Sequence, residues 1–214
     1  MGKTIAEKIL SIKTGNDVKA NDIVIAPVDG IMATDTTAPL SIKAFQSMGG
    51  SRVWNPEKCS FIIDHAAPAP NERIANLHQM MRDFASEQGF PLYDIGEGIC
   101  HQVIMEKRHI KPGDIFMGAD SHTPTGGALN AFACGMGSTD LGAIMLTGKT
   151  WLKTPATIKV ICNGILQKGV HAKDLVLFLT GKITISGATY LSVEFHGATF
   201  EAMGLSDRMC VANM

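Results

Sequence analysis

The chain has 214 residues, of which 45% are hydrophobic and 18% charged, with a net charge of −1. This length and balance suit a globular core, and the near-zero charge excludes a global basic field for nucleic acid. The opening MGKTIAEKIL lacks the apolar core of a signal peptide and no run approaches a membrane span, so a cytoplasmic protein with no membrane or nucleic-acid partner is expected.

The elements follow in chain order. Thr4 and Glu7 form a capping box that opens an amphipathic helix to about Ile12. Asp22 to Val28 reads as a strand, Gly30 to Thr37 as a polar loop, and Ala38 to Met48 as a helix with Pro39 in its first turn. A strand from Lys58 ends in Asp64-His65. Asn71 then caps a helix to Gln88 whose Ile74, Leu77, Met81 and Phe84 share one face. Pro91 to Ile95 is a short strand, and the turn Gly96-Glu97-Gly98 leads into a helical segment holding His101. The apolar run Asp114 to Ala119 is a buried strand ending in Asp120-Ser121-His122, followed by a Gly-rich turn, Thr123 to Gly127, and a small-residue helix. A helix from Ser138 to about Lys149, a strand Thr157 to Cys162, a helix Ala172 to Thr180, a strand Ser192 to His196 and a helix from Ser206 complete the pattern. Alternating strands and helices predict an α/β fold, a three-layer α/β/α sandwich with a largely parallel sheet. Residues 1–214 read as a single domain, cut short inside its last helix.

The five cysteines, Cys59, Cys100, Cys134, Cys162 and Cys210, are scattered and contain no C-x-x-C pair, so neither a disulfide framework nor a local zinc site is expected. Gly142 to Thr150, GAIMLTGKT, resembles a phosphate loop but has five residues between its glycines where the motif needs four. Its apolar, helix-favouring residues would not expose backbone amides, and Lys149 is expected as a helix C-terminal cation.

Chemistry gathers at strand ends. Asp64-His65, His101 and Asp120-Ser121-His122 fall where a parallel sheet places its carboxyl edge. Imidazole exchanges protons near neutral pH, and a carboxylate bonded to it fixes its tautomer and steadies its cation. Such a rim suits proton transfer on an oxygen-rich substrate. Two histidines with two aspartates also suit a hydrolytic metal site, using Asp64, His65, Asp120 and His122. His78, His109, His171 and His196 lack such neighbours and read as structural or surface residues.

In order along the chain, FIIDHAAP, GEGICHQV, GADSHTPTGGALNAFACGMGSTD and RMCVANM resemble the aconitase superfamily, in particular its isopropylmalate dehydratase and homoaconitase branch, large-subunit type. Thr37-Ala38-Pro39 and GSTDLGAIMLTGKTWLKTP fit the same branch. The resemblance covers essentially the whole chain. It implies a fold like the first aconitase domain and reversible dehydration of a hydroxy-di- or tricarboxylate around a 4Fe–4S cluster. Asp64 and His65 are then the catalytic pair near the leaving hydroxyl. His101 and Asp120 are a second pair, and His122 belongs to a third whose partner is a Glu not present in this chain. Ser121 and Asn213 are the implied substrate-binding residues.

The departures also matter. None of the five cysteines matches the family's cluster ligands, so no metal or cluster ligand is expected in this chain. Cys210 stands where relatives often have Thr, and Ala212 where they often have Cys. The Gln that aconitase itself carries near the position of Pro39 is missing, which argues against citrate. The family's catalytic serine sits on a swivelling domain, so a separate small subunit is the implied partner, beside a small carboxylate substrate. The resemblance therefore favours the amino-terminal part of a longer large subunit, inactive alone, with 3-isopropylmalate the favoured substrate and homoaconitate or 2,3-dimethylmalate as alternatives. A degenerate, non-catalytic binding domain and the metal-dependent hydrolase are the competing readings.

Overall fold

Thr4 caps α1 (Ile5–Thr14) through the reciprocal bonds of a capping box with Glu7, as its sequence predicts. The structure, a computed structural model, describes residues 2–184 and 186–214. The elements after α1 run β1 (Ile23–Pro27), β2 (Gly30–Thr34), α2 (Ala38–Ser47), β3 (Cys59–Ile62), α3 (Glu72–Gln88), β4 (Leu92–Tyr93), α4 (Cys100–Glu106) and β5 (Ile115–Gly118). A 3-10 helix at Thr123–Leu129 leads to β6 (Phe132–Gly135), α5 (Ser138–Thr147), β7 (Lys149–Lys153), β8 (Ala156–Ile161), α6 (Ala172–Ile183), β9 (Leu191–His196), α7 (Ala198–Glu201) and α8 (Leu205–Asn213).

The central sheet has the order β4-β3-β2-β5-β6, with every neighbouring pair parallel. β2 is a correction to the sequence reading, which takes Gly30 to Thr37 as a polar loop. All five of its residues are buried, and it is the middle strand. A strand buried on both faces shows no apolar–polar alternation, and this one is too short to stand out between Asp29-Gly30 and the threonines after it. β6 is a second correction. The small-residue helix expected after Gly127 does not form: the 3-10 helix covers the segment read as a Gly-rich turn and ends at Asn130, whose φ of 58° lies in the left-handed region, and the chain then extends to pair with β5. Pairing with a buried neighbour overrides the weak strand propensity of Phe-Ala-Cys-Gly. β7 is unanticipated; it pairs antiparallel with β1 in a separate two-stranded ribbon. Lys149 accordingly opens a strand instead of ending a helix.

Alternate residues of the central strands feed two cores. Ile31, Ala33, Phe61, Ile115 and Met117 pack with Ile42 and Phe45 of α2, Phe84 of α3 and Leu141 and Ile144 of α5. Met32, Ile62 and Phe116 pack on the other face with Cys100, Val103 and Ile104 of α4 and with Ala128. Helices thus cover both faces, giving the three-layer α/β/α arrangement. Phe61 and Phe90 meet edge-to-face at 4.8 Å between ring centroids, and burying each such side chain contributes about 1.5–3 kcal/mol. The packing of α5 on α2 needs Gly142: a Cβ there would stand 2.9 Å from the Ser41 carbonyl oxygen.

Beyond this sheet, β8 and β9 form a parallel pair linked by α6. α8 returns to the 3-10 helix, where Asn213 Nδ2 donates to Thr125 Oγ1 at 2.8 Å. Among the described residues, no helix is long and apolar enough to cross a membrane.

Candidate active site

The sheet order places a topological switch point between β2 and β5, because the chain leaves β2 first toward β3 and later toward β5. Ligands of open α/β sheets bind beyond the carboxyl ends of strands at such a point. Three strands end there in the same way, an apolar run followed by aspartate: Asp35 after β2, Asp64 after β3 and Asp120 after β5.

Asp64 and His65 form a tight pair, with Asp64 Oδ1 2.7 Å from His65 Nδ1. The other oxygen of Asp64 accepts the backbone N–H of Cys100, at the start of α4, at 2.6 Å. His65 Nε2 points at Asp120, 3.4 Å from Oδ2. His101, carried in the first turn of α4, places Nε2 2.9 Å from Asp120 Oδ1. That oxygen also accepts the backbone N–H of His122 at 2.8 Å. Asp64, His65, Asp120 and His101 therefore form one continuous chain of acid and imidazole.

The two imidazoles are held in opposite senses. Burial pulls His65 down, but the Asp64, Asp120 and Asp35 carboxylates together outweigh it and hold the ring above the ordinary imidazole value. Burial dominates at His101 and lowers it despite the Asp120 carboxylate. His101 Nδ1 is buried with no hydrogen-bond partner among the described residues. A charged His65 has N–H donors facing Asp64 and Asp120, whereas a neutral His101 can accept a proton. Titratable groups pushed apart in this way suit an acid and a base.

The remaining predicted residues lie around this chain. Ser121 Oγ is 3.1 Å from His122 Nδ1, and His122 is more than half exposed. Asn213 reaches the rim indirectly: Thr125 Oγ1 accepts from its amide and donates to the His122 carbonyl at 2.6 Å. The four residues proposed for a hydrolytic metal do not converge. Among the described residues, donor atoms within 4.8 Å of one another fall into two sets, His101-Asp120-His122 and Asp35-Asp64-His65.

Two buried residues at the site are missed by the sequence reading. Asp35 lies inside the segment read as a loop, yet it accepts the backbone N–H groups of Asp64, His65 and Ala66. His78, read as structural or surface, is buried on α3 with Nε2 3.4 Å from Asp35 Oδ2. The repeated apolar-run-then-Asp pattern is the signal that could have found Asp35. Cys59 is a buried core residue whose thiol burial pushes up to about 12, and Cys100, also buried, meets the site through its backbone N–H to Asp64.

Comparison with known proteins places this geometry in context. The Aconitase family (aconitate hydratase) matches residues 7–214. The chain is 50% identical to the 3-isopropylmalate dehydratase large subunit 1 of Methanopyrus kandleri, the alignment covering 100% of this chain and 51% of that protein. It is 50% identical, with the same coverage on both sides, to 3-isopropylmalate dehydratase large subunits of Elusimicrobium minutum and Thermotoga maritima. The chain thus spans about half the length of the curated relatives it matches.

Proposed function

The chain belongs to the aconitase family, and from that premise we propose that it is the amino-terminal part of a hydro-lyase large subunit. The reaction is the reversible dehydration of a hydroxy-dicarboxylate, with 3-isopropylmalate, in leucine biosynthesis, as substrate. The observation that carries this reading is the pair of imidazoles, held in opposite senses, on the two oxygens of Asp120.

In this reading His65, steadied by Asp64, gives a proton to the departing hydroxyl. His101, oriented by Asp120, holds or takes a proton from the departing or returning water. His122 and Ser121 stand at the exposed lip, where Ser121 meets a substrate carboxylate, and Asn213 supports binding from α8. Each role lives in the geometry of acceptors and donors at about hydrogen-bond distance.

The family implies a 4Fe–4S cluster in the full-length protein, which supplies Lewis-acid chemistry when bound. The cysteines of this chain do not fit that group. Cys59 and Cys100 are buried, burial raises the thiols of Cys59, Cys100 and Cys134, and no three-donor set among the described residues includes a cysteine. The cluster ligands are proposed to come from the remainder of a longer protein, and the serine base from a separate small subunit, in the cytoplasm.

The test is turnover by the full-length protein with its small subunit, after anaerobic reconstitution. Interconversion of 2- and 3-isopropylmalate is expected. Turnover of homoaconitate or 2,3-dimethylmalate instead would reassign the substrate. Binding without turnover of any hydroxy acid would overturn the enzyme reading in favour of a degenerate binding domain.

A further inference from the structure

Asp35 is 4% exposed as a residue, and its carboxylate accepts three backbone N–H groups. Its Oδ1 accepts the N–H of Asp64 at 3.1 Å and of His65 at 2.9 Å, and its Oδ2 accepts the N–H of Ala66 at 2.7 Å. The buried imidazole of His78 faces Oδ2 from α3 at 3.4 Å. A carboxylate offers about four lone-pair sites, of which three here accept backbone N–H groups, while His78 Nε2, which has no hydrogen-bond partner among the described residues, stands over the carboxylate from α3. Its side chain, 1% exposed, lies beneath the rim. Its bonds are thus committed mainly to the backbone of the 64–66 turn.

The three N–H groups are consecutive and belong to the turn that carries the acid–imidazole pair. Holding them fixes the backbone from which the Asp64 and His65 side chains project. Asp64 is then tied on its other side to the N–H of Cys100. With both ends fixed, the His65 ring has its Nδ1 on Asp64 and its Nε2 toward Asp120.

We propose that Asp35, backed by His78, is a positioning residue: its carboxylate clamps the 64–66 turn so that His65 is aimed at Asp120. It touches no reacting atom and acts through His65. The proposal rests on the hydro-lyase reading for its kinetic part alone; the aim of His65 is measurable without turnover.

The experiment compares Asp35→Asn and Asp35→Ser with the unsubstituted full-length protein. Asparagine keeps one oxygen acceptor for the turn, whereas serine is too short to hold it. We expect kcat to fall ~10- to 100-fold in Asp35→Asn with KM within ~3-fold, and further in Asp35→Ser. Histidine-selective NMR is expected to show His65 titrating lower in both variants, because a nearby carboxylate that favours the cation is gone and the pair is looser. Unchanged kcat and unchanged His65 titration in folded variants would overturn the proposal. Failure of both variants to fold would overturn it in favour of a purely structural role. If the unsubstituted protein turns over no hydroxy acid, the hydro-lyase reading fails, while the two variants, which lose the same charge but not the same clamp, still decide the role of Asp35: His65 titrating lower in Asp35→Ser than in Asp35→Asn supports positioning, and equal titration in the two overturns it.

Discussion

His65 reaches from the end of β3 to Asp120 at the end of β5, its Nε2 3.4 Å from Oδ2, although β2 lies between the two strands. Asp120 holds His101 on its other oxygen at 2.9 Å. One carboxylate therefore serves two imidazoles, and a change to it acts on both.

Asp120→Asn keeps the shape and removes the charge. It is expected to lower kcat of the full-length enzyme by ~10²- to 10⁴-fold, the range of a lost proton-transfer arrangement. Both His65 and His101 should titrate lower, since the Asp120 carboxylate raises each of them. Steady-state kinetics and histidine NMR check the two halves. A variant with wild-type kcat would remove Asp120 from the mechanism.

His101→Ala is expected to reduce kcat by ~10²-fold or more while raising KM by less than ~3-fold, because a proton-relay group acts mainly in the transition state. Equal turnover in the variant would exclude His101 from proton transfer.

The opposite senses of the two histidines predict opposite pH effects on stability. His65 has a folded pKa above its unfolded value, ~6.5, so its contribution is full below that value and lost as pH rises through the folded pKa. His65→Gln should therefore cost more stability at ~pH 5.5 than at ~pH 9. His101 has a folded pKa below its unfolded value, so its contribution is present above ~6.5 and lost as pH falls through the folded pKa. His101→Gln should flatten the acid-side loss. Urea unfolding across this pH range measures both, and matching pH slopes in the two variants would contradict the assignment.

Gly135, the last residue of β6, lies against the Asp120 backbone. A Cβ there would stand 2.6 Å from the Asp120 carbonyl oxygen, so something must move. Gly135→Ala is expected to destabilise by ~1–3 kcal/mol, as overpacking does, and to displace Asp120 from its two imidazoles. The kinetic loss should be ~10-fold or more, since a shift of about 1 Å near the chemistry costs up to ~10²-fold. Denaturant unfolding and kcat on the same preparation separate the effects. Wild-type values for both would show that the strand end yields freely.

The local signals were legible in the sequence because they rest on neighbouring residues. Thr4 with Glu7 and Asn71 each mark a helix start through bonds to the next turn, and both form as read. The strand-end motifs Asp64-His65 and Asp120-Ser121-His122, and the His101 segment, are contiguous and could be found without a fold. They also carried the family resemblance that the match over residues 7–214 bears out. What tertiary structure alone decided is which strand lies in the middle and which groups meet. β2, buried on both faces, has no alternation to reveal it, and β6 becomes a strand only because β5 offers it an edge. Asp35 looks like one more polar residue until β2 sets it beneath the 64–66 turn. The sharing of Asp120 by His65 and His101 depends on strand order, since imidazoles distant in sequence meet one carboxylate only after the sheet and α4 bring them together.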